Sequence, residues 1–65
     1  MRFWIECTRC ETGQSTHINI ALVGSMWRDG ERTVLAFVGD DGERIEVIET
    51  PEQLLERHFG PMGTA

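Results

Sequence analysis

The 65-residue sequence has no lysine and no tyrosine, and it contains only two cysteines and two prolines. All six basic residues are arginines, and eleven carboxylates outnumber them, which gives a formal net charge of −5. Because an acidic surface repels phosphate backbones, this charge balance argues against general nucleic-acid binding. It favours a protein partner instead.

Long apolar runs are also missing. A transmembrane helix needs about 20 consecutive apolar residues, and the chain has no such segment. Residues 1–6 reach an acidic residue and then a cysteine too early to resemble a secretory signal peptide. We therefore expect a cytoplasmic protein with no membrane partner, whose cysteines stay reduced or bind a metal ion.

The chain is short enough for one domain only. A domain of this size buries about 60% of the surface that its unfolded chain exposes, so its core is small. A metal ion or a second copy of the chain, in a homodimer, would help such a core to fold. We expect residues 1–60 to form one small domain and residues 61–65 to be a flexible tail.

Two strands are predicted in the first half of the chain. Residues 2–7 are rich in aromatic and β-branched side chains, which favours a first strand. Residues 16–23 alternate, with Ile18 on the side expected to face the core, which is typical of a half-buried strand. The Gly24-Ser25 pair that follows predicts a bulge or a bend in the chain.

Two turns organise the next strands. Asp29-Gly30 predicts a type I′ hairpin in which Trp27 faces Arg32. The apolar run 33–38 should be the central strand, and a turn at 39–42 follows it. That turn would pair Val38 with Ile45 and Ala36 with Val47.

A helix is predicted from Pro51 to about His58. Thr50 as N-cap, Pro51 at the first position and Gln53 at the third form a capping-box signature. Gly60-Pro61 should end the helix. The sequence thus predicts an α+β fold, a three- to four-stranded antiparallel β-meander with one short C-terminal helix packed on the sheet.

The pattern Cys7-Thr8-Arg9-Cys10 is half of a zinc-binding signature. Two thiolates at this spacing can bind one metal ion, but a structural zinc site usually has four protein ligands. His17 and His58 are the candidate additional ligands in the chain. The alternative is a homodimer in which each copy supplies both cysteines.

Two other interpretations of the cysteines remain. A thiol redox factor is the second alternative, but such a motif normally begins a helix, and no helix is predicted after Cys10. In the simplest interpretation, the two thiols are reduced and pack as small apolar residues at the end of a strand. No complete catalytic constellation is visible, so we expect that the protein is not an enzyme and needs no cofactor, with zinc as the alternative.

Carboxylates are concentrated in the second half of the chain. They are either a solvated surface that keeps a small protein soluble or an acidic surface that binds a partner. Trp27 is either a core residue or, if exposed, an anchor for that partner. We expect a small acidic protein-interaction or regulatory module of bacterial or phage type, with tentative partner-binding residues Trp27, Glu46, Glu49, Glu52 and Glu56.

Overall fold

Within residues 2–39 and 42–60, which the computed structural model describes, the chain forms five antiparallel strands and one C-terminal helix. The α+β class is confirmed. The predicted turn residues Asp40 and Asp41 and the predicted tail 61–65 lie outside the described residues. The elements are β1 (Trp4–Thr8), β2 (Ser15–Asn19), a 3-10 turn (Ile20–Leu22), β3 (Val23–Asp29), β4 (Arg32–Phe37), β5 (Arg44–Val47) and α1 (Pro51–Phe59).

The strands form two small sheets. β1 pairs with β2, and β4 lies between β3 and β5 in the second sheet. A single antiparallel bridge between Arg9 and Val47 connects the two. Beside it, the N–H of Cys10 donates to the carbonyl of Glu46 at 3.0 Å, and the N–H of Ile48 donates to that of Thr8 at 3.0 Å. The chain leaving β1 therefore runs along the edge of β5.

The predicted strand 16–23 is interrupted, which is why there are more strands than expected. The side chain of Asn19 accepts a hydrogen bond from the N–H of Ala21 at 3.0 Å and caps a 3-10 turn. Such a local bond competes with pairing between strands. Leu22 is consequently 50% exposed. The predicted bulge is confirmed, since the β3–β4 register shifts between Val23 and Ser25.

The hairpin at Asp29-Gly30 exists, but its loop lies one residue later than predicted. Asp29 pairs with Arg32, so Gly30 and Glu31 are the two loop residues. Gly30 has a φ of 66°, whereas no other residue type in the described ranges has a positive φ. A positive φ at the first loop position alone is the pattern of a type II′ turn, which favours glycine there.

The predicted β4–β5 register is wrong by three residues. Leu35 pairs with Ile45, and Thr33 pairs with Val47. Because side chains alternate along a strand, an odd shift exchanges the two faces of β4. The observed register places Leu35, Ile45 and Val47 together in the core, whereas the predicted register would have turned Leu35 to the other face.

The core lies between the sheets and the helix. The capping box is confirmed, because Thr50 Oγ1 accepts from the N–H of Gln53 at 3.1 Å and Gln53 Oε1 accepts from the N–H of Thr50 at 2.9 Å. The helix packs on β1 through Leu54, which is fully buried, while Leu55 is 40% exposed. Within the described residues, no helix is both long and apolar enough to cross a membrane. The main apolar cluster is Ile5, Cys7, Ile18, Leu35, Ile45, Val47 and Leu54.

Candidate functional site

Cys7 is a core residue. It lies in β1 opposite Thr16 and is fully buried. Burial, followed by the nearby charge of Glu49, raises the pKa of the Cys7 thiol to about 11. The thiolate is the form that binds metals and attacks electrophiles, so at neutral pH Cys7 packs as a small apolar side chain.

Cys10 occupies a different environment. It lies in the turn after β1 and is partly exposed. Its backbone N–H is held by the carbonyl of Glu46 at 3.0 Å. Both cysteines are free thiols. Cys10 is therefore the more accessible of the two.

The two histidines lie apart from this pair. His17 faces Glu6 across the β1–β2 ladder. Because successive side chains alternate between faces, His17 points to the side of the sheet opposite to Cys7. His58 lies in the last turn of the helix, and its Nδ1 is 2.6 Å from the carbonyl oxygen of Arg2.

The tentative zinc ligands are therefore not brought together within one copy of the chain. In residues 2–39 and 42–60, no group of three His, Cys, Asp or Glu side chains is arranged to hold a metal ion. Zinc binding stays a prediction, and so does its sharing between two copies.

The sequence suggested that Glu49 is part of an exposed acidic surface. In the structure it belongs to a buried polar network instead. Glu49 is only 7% exposed. The carboxylate accepts from the N–H of Thr8 at 2.9 Å, from the Thr8 hydroxyl at 3.0 Å and from Arg57 at 3.2 Å. Burial opposes ionisation, but the hydrogen bonds from Thr8 and Arg57 outweigh it and lower the pKa of Glu49.

The network extends to the second sheet. The hydroxyl of Thr33, a buried residue of β4, donates to the backbone carbonyl of Glu49. Arg28 donates to that hydroxyl at 3.1 Å and to the carbonyl of Ile48 at 3.3 Å. Every buried side-chain N or O atom among the described residues has a partner. Thr8, Arg28, Thr33 and Arg57 were missed because these contacts join distant segments and follow no local pattern.

A groove on the outer face of the second sheet contains two of the predicted partner-binding residues. The register aligns Trp27 with Val34 and Val34 with Glu46 across the three strands. Trp27 is 39% exposed. This depression of about 350 Å³, the Trp27 groove, is lined by Arg9, Glu11, Trp27, Asp29, Val34, Arg44, Ile45 and Glu46.

Charges of both signs surround the indole of Trp27. The predicted pairing with Arg32 is wrong, since Arg44 lies over the ring at 5.5 Å from its centroid. Arg32 instead forms a salt bridge with Glu46 at 2.9 Å. Arg44 and Glu46, both in β5, thus line the groove beside Trp27.

The remaining predicted residues lie on the helix. Glu52 and Glu56 are exposed and one helical turn apart, and neither lines the Trp27 groove. The sequence analysis also missed several exposed apolar side chains. These are Phe3, Trp4, Leu22, Val38, Ile48 and Phe59, with Trp4 at 64% exposure.

No protein-family model, no curated protein and no solved structure matches this chain. The proposals that follow therefore rest on the geometry and chemistry of its own side chains.

Proposed function

We propose that the protein is a small, non-enzymatic interaction module that binds a protein partner through the Trp27 groove. The observation that carries this proposal is the half-exposed indole of Trp27 above the buried side chain of Val34. Tryptophan is enriched among residues that dominate binding energy at interfaces. A surface with an apolar centre and a charged rim is the usual anatomy of such an interface.

The charges of the groove define the chemistry of the partner. Arg9 and Arg44 supply two guanidinium groups, and Glu11, Asp29 and Glu46 supply three carboxylates. A matching segment has an apolar side chain that packs on the indole and charged residues of both signs around it. Complementary charges of this kind contribute mainly to specificity and to the rate of association.

The exposed carboxylates of the helix add long-range attraction. Glu52 and Glu56 are solvent-exposed, and the chain as a whole has a net charge of −5. Such a field increases the rate at which a basic partner meets the protein, and salt weakens the effect. The partner we expect therefore has a net positive charge.

The environment of the thiols supports the non-enzymatic part of the proposal. A Cys–His nucleophile needs the two side chains within hydrogen-bond reach. Cys7 is buried with a raised pKa of about 11, and the ladder turns His17 to the other face of the sheet. These two residues do not form such a pair.

The test begins with the immobilised 65-residue chain, which captures proteins from a lysate of the source cells. A captured protein is then purified, and its affinity for the parent and for variants is measured by calorimetry. We expect Trp27→Ala to weaken binding by tenfold or more, because removal of a central aromatic anchor typically costs about 2 kcal/mol or more. Phe59→Ala, another exposed aromatic residue outside the groove, is the matched control.

The charge of the helix is tested separately. Glu52→Lys/Glu56→Lys should slow association with little effect on dissociation, and added salt should remove the difference. Binding that is unchanged in Trp27→Ala but lost in Phe59→Ala would place the interface elsewhere and contradict the proposal. Loss of binding to the same degree in both variants would also contradict it.

A further inference from the structure

A second concave site lies on the outer face of the first sheet, away from the Trp27 groove. This pocket of about 420 Å³, the Trp4 pocket, is lined by Arg2, Trp4, Ile5, Glu6, His17 and Arg57. We propose that the Trp4 pocket binds a mononucleotide, with the phosphate on the arginines and the base on the indole of Trp4. This site is independent of the proposed protein interface.

Two of the six arginines of this acidic protein line the Trp4 pocket. The chain has a net charge of −5, and the Trp4 pocket is lined by two guanidinium groups and one carboxylate, that of Glu6. Arg57 also forms a salt bridge with the carboxylate of Glu49 at 3.2 Å, so the guanidinium of Arg2 supplies the positive charge that is open to a ligand. The Glu6 carboxylate is already held by the hydroxyl of Ser15 at 2.5 Å. The Arg2 side chain is exposed and forms no salt bridge within the described ranges. Guanidinium groups match the geometry of phosphate oxygens.

Arg57 is held in place before any ligand arrives. Its NH1 donates to the carboxylate of Glu49 at 3.2 Å and to the backbone carbonyl of Glu6. A guanidinium has five N–H donors, and the hydrogen bonds of Arg57 to other described residues all leave from NH1. The side chain is 45% exposed. A positioned arginine loses less conformational entropy when it binds an anion.

The exposed indole supplies the second half of the recognition. Trp4 is 64% exposed, which is unusual for so large an apolar side chain. It lies two residues from Glu6 on β1, and His17 faces Glu6 from β2, so all three side chains share one face. A nucleobase can stack on an exposed aromatic ring. Glu6 can accept a hydrogen bond from a ribose hydroxyl, and His17 offers a further polar contact.

The net charge of the protein favours a mononucleotide over a nucleic-acid strand as the ligand of this pocket. A nucleic-acid strand places phosphates beyond the pocket, where the acidic surface repels them. A mononucleotide places its charge only at the arginines. The class of ligand that fits best is therefore a nucleoside monophosphate.

Tryptophan fluorescence provides the test. In a Trp27→Phe background, Trp4 is the single remaining tryptophan, so stacking of a base should quench the emission directly. We expect saturable quenching by AMP. The affinity for adenosine, which has no phosphate, should be about tenfold lower than that for AMP, because loss of a charge-assisted hydrogen bond weakens binding by about this factor. Arg2→Gln in the same background should also weaken AMP binding about tenfold.

Arg44→Gln removes the same charge from the Trp27 groove and is the matched control, for which we expect unchanged AMP binding. Circular dichroism verifies that each variant is folded. The proposal is overturned if AMP gives no saturation, if adenosine binds as tightly as AMP, or if Arg44→Gln weakens binding as much as Arg2→Gln. Tighter binding of a short single-stranded oligonucleotide than of AMP would likewise overturn it. Trp27→Ala should leave AMP binding intact, which separates this test from that of the protein interface.

Discussion

Glu49 and Thr8 are 41 residues apart in sequence, yet the carboxylate of Glu49 accepts hydrogen bonds from both the backbone N–H of Thr8 at 2.9 Å and its hydroxyl at 3.0 Å. Thr8 ends β1, and Glu49 lies between β5 and the helix. Arg57, which lies in the helix, forms a salt bridge with the same carboxylate at 3.2 Å. The backbone carbonyl of Glu49 accepts from the Thr33 hydroxyl of β4, so this one buried residue connects both sheets and the helix of a domain with a small core.

Removal of this charge should destabilise the fold. In Glu49→Gln, an amide N–H₂ replaces one acceptor oxygen and faces the donors of Thr8 or Arg57. We expect the free energy of unfolding to fall by about 1–3 kcal/mol, the usual cost of an unsatisfied buried group. Urea denaturation at neutral pH measures it. The control is Glu52→Gln, which removes an exposed carboxylate three residues away. It should change stability by less than about 0.5 kcal/mol.

The same carboxylate should make stability depend on acid. The folded-state pKa of Glu49 lies below its ordinary value of 4.5. A lowered pKa means that the contribution is present above pH 4.5 and is lost as pH falls further, through the folded-state pKa. The parent should therefore lose stability more steeply than Glu49→Gln below pH 4.5. Parallel pH profiles of the two proteins would contradict this prediction.

Cys7 should make stability depend on alkali. Its pKa is raised from 9.0 to about 11 by burial, so the contribution of the neutral thiol is complete below pH 9 and disappears as pH rises towards 11. The parent should lose about 2–3 kcal/mol over this range relative to Cys7→Ala. At pH 8, a thiol reagent should label Cys10 and spare Cys7 until the chain unfolds. Equal labelling rates would show that Cys7 is accessible.

The two adjacent leucines of the helix should differ sharply. Leu54 is fully buried, whereas Leu55 is 40% exposed. Leu54→Ala should cost about 2–5 kcal/mol through lost burial and a cavity. Leu55→Ala should cost less than about 1 kcal/mol. Thermal unfolding by circular dichroism compares them, and similar melting temperatures would mean that the helix docks through a different face.

Zinc content tests the metal hypothesis. We expect less than one zinc ion per two chains in protein purified without chelator, because no group of three His, Cys, Asp or Glu side chains in residues 2–39 and 42–60 is arranged to hold a metal ion. Elemental analysis, together with a measurement of oligomeric mass, gives the number of zinc ions per chain. One ion per chain would support an in-chain site with His17 or His58, and one per dimer would support the shared site. Cys10→Ser is the better ligand variant, since Cys7→Ser also disturbs the core.

The local elements could be predicted because neighbouring residues determine them. The capping box of Thr50 and Gln53, the bulge at Gly24-Ser25 and the hairpin at Asp29-Gly30 all depend on contacts within a few residues. Trp27 and Glu46, two of the predicted partner-binding residues, both line the Trp27 groove. The Trp4 pocket was not foreseen, because it combines residues from both ends of the chain.

By itself, then, the sequence determined the α+β class, the helix and its caps, and the presence of a hairpin at Asp29-Gly30, because these follow from the alternation of apolar side chains and from backbone preferences. Only the tertiary structure decided the β4–β5 register, the burial of Glu49 and the separation of Cys7 from His17 and His58. Those features depend on contacts between distant segments. Their free energy comes from burial and from shared hydrogen bonds, which no local pattern encodes.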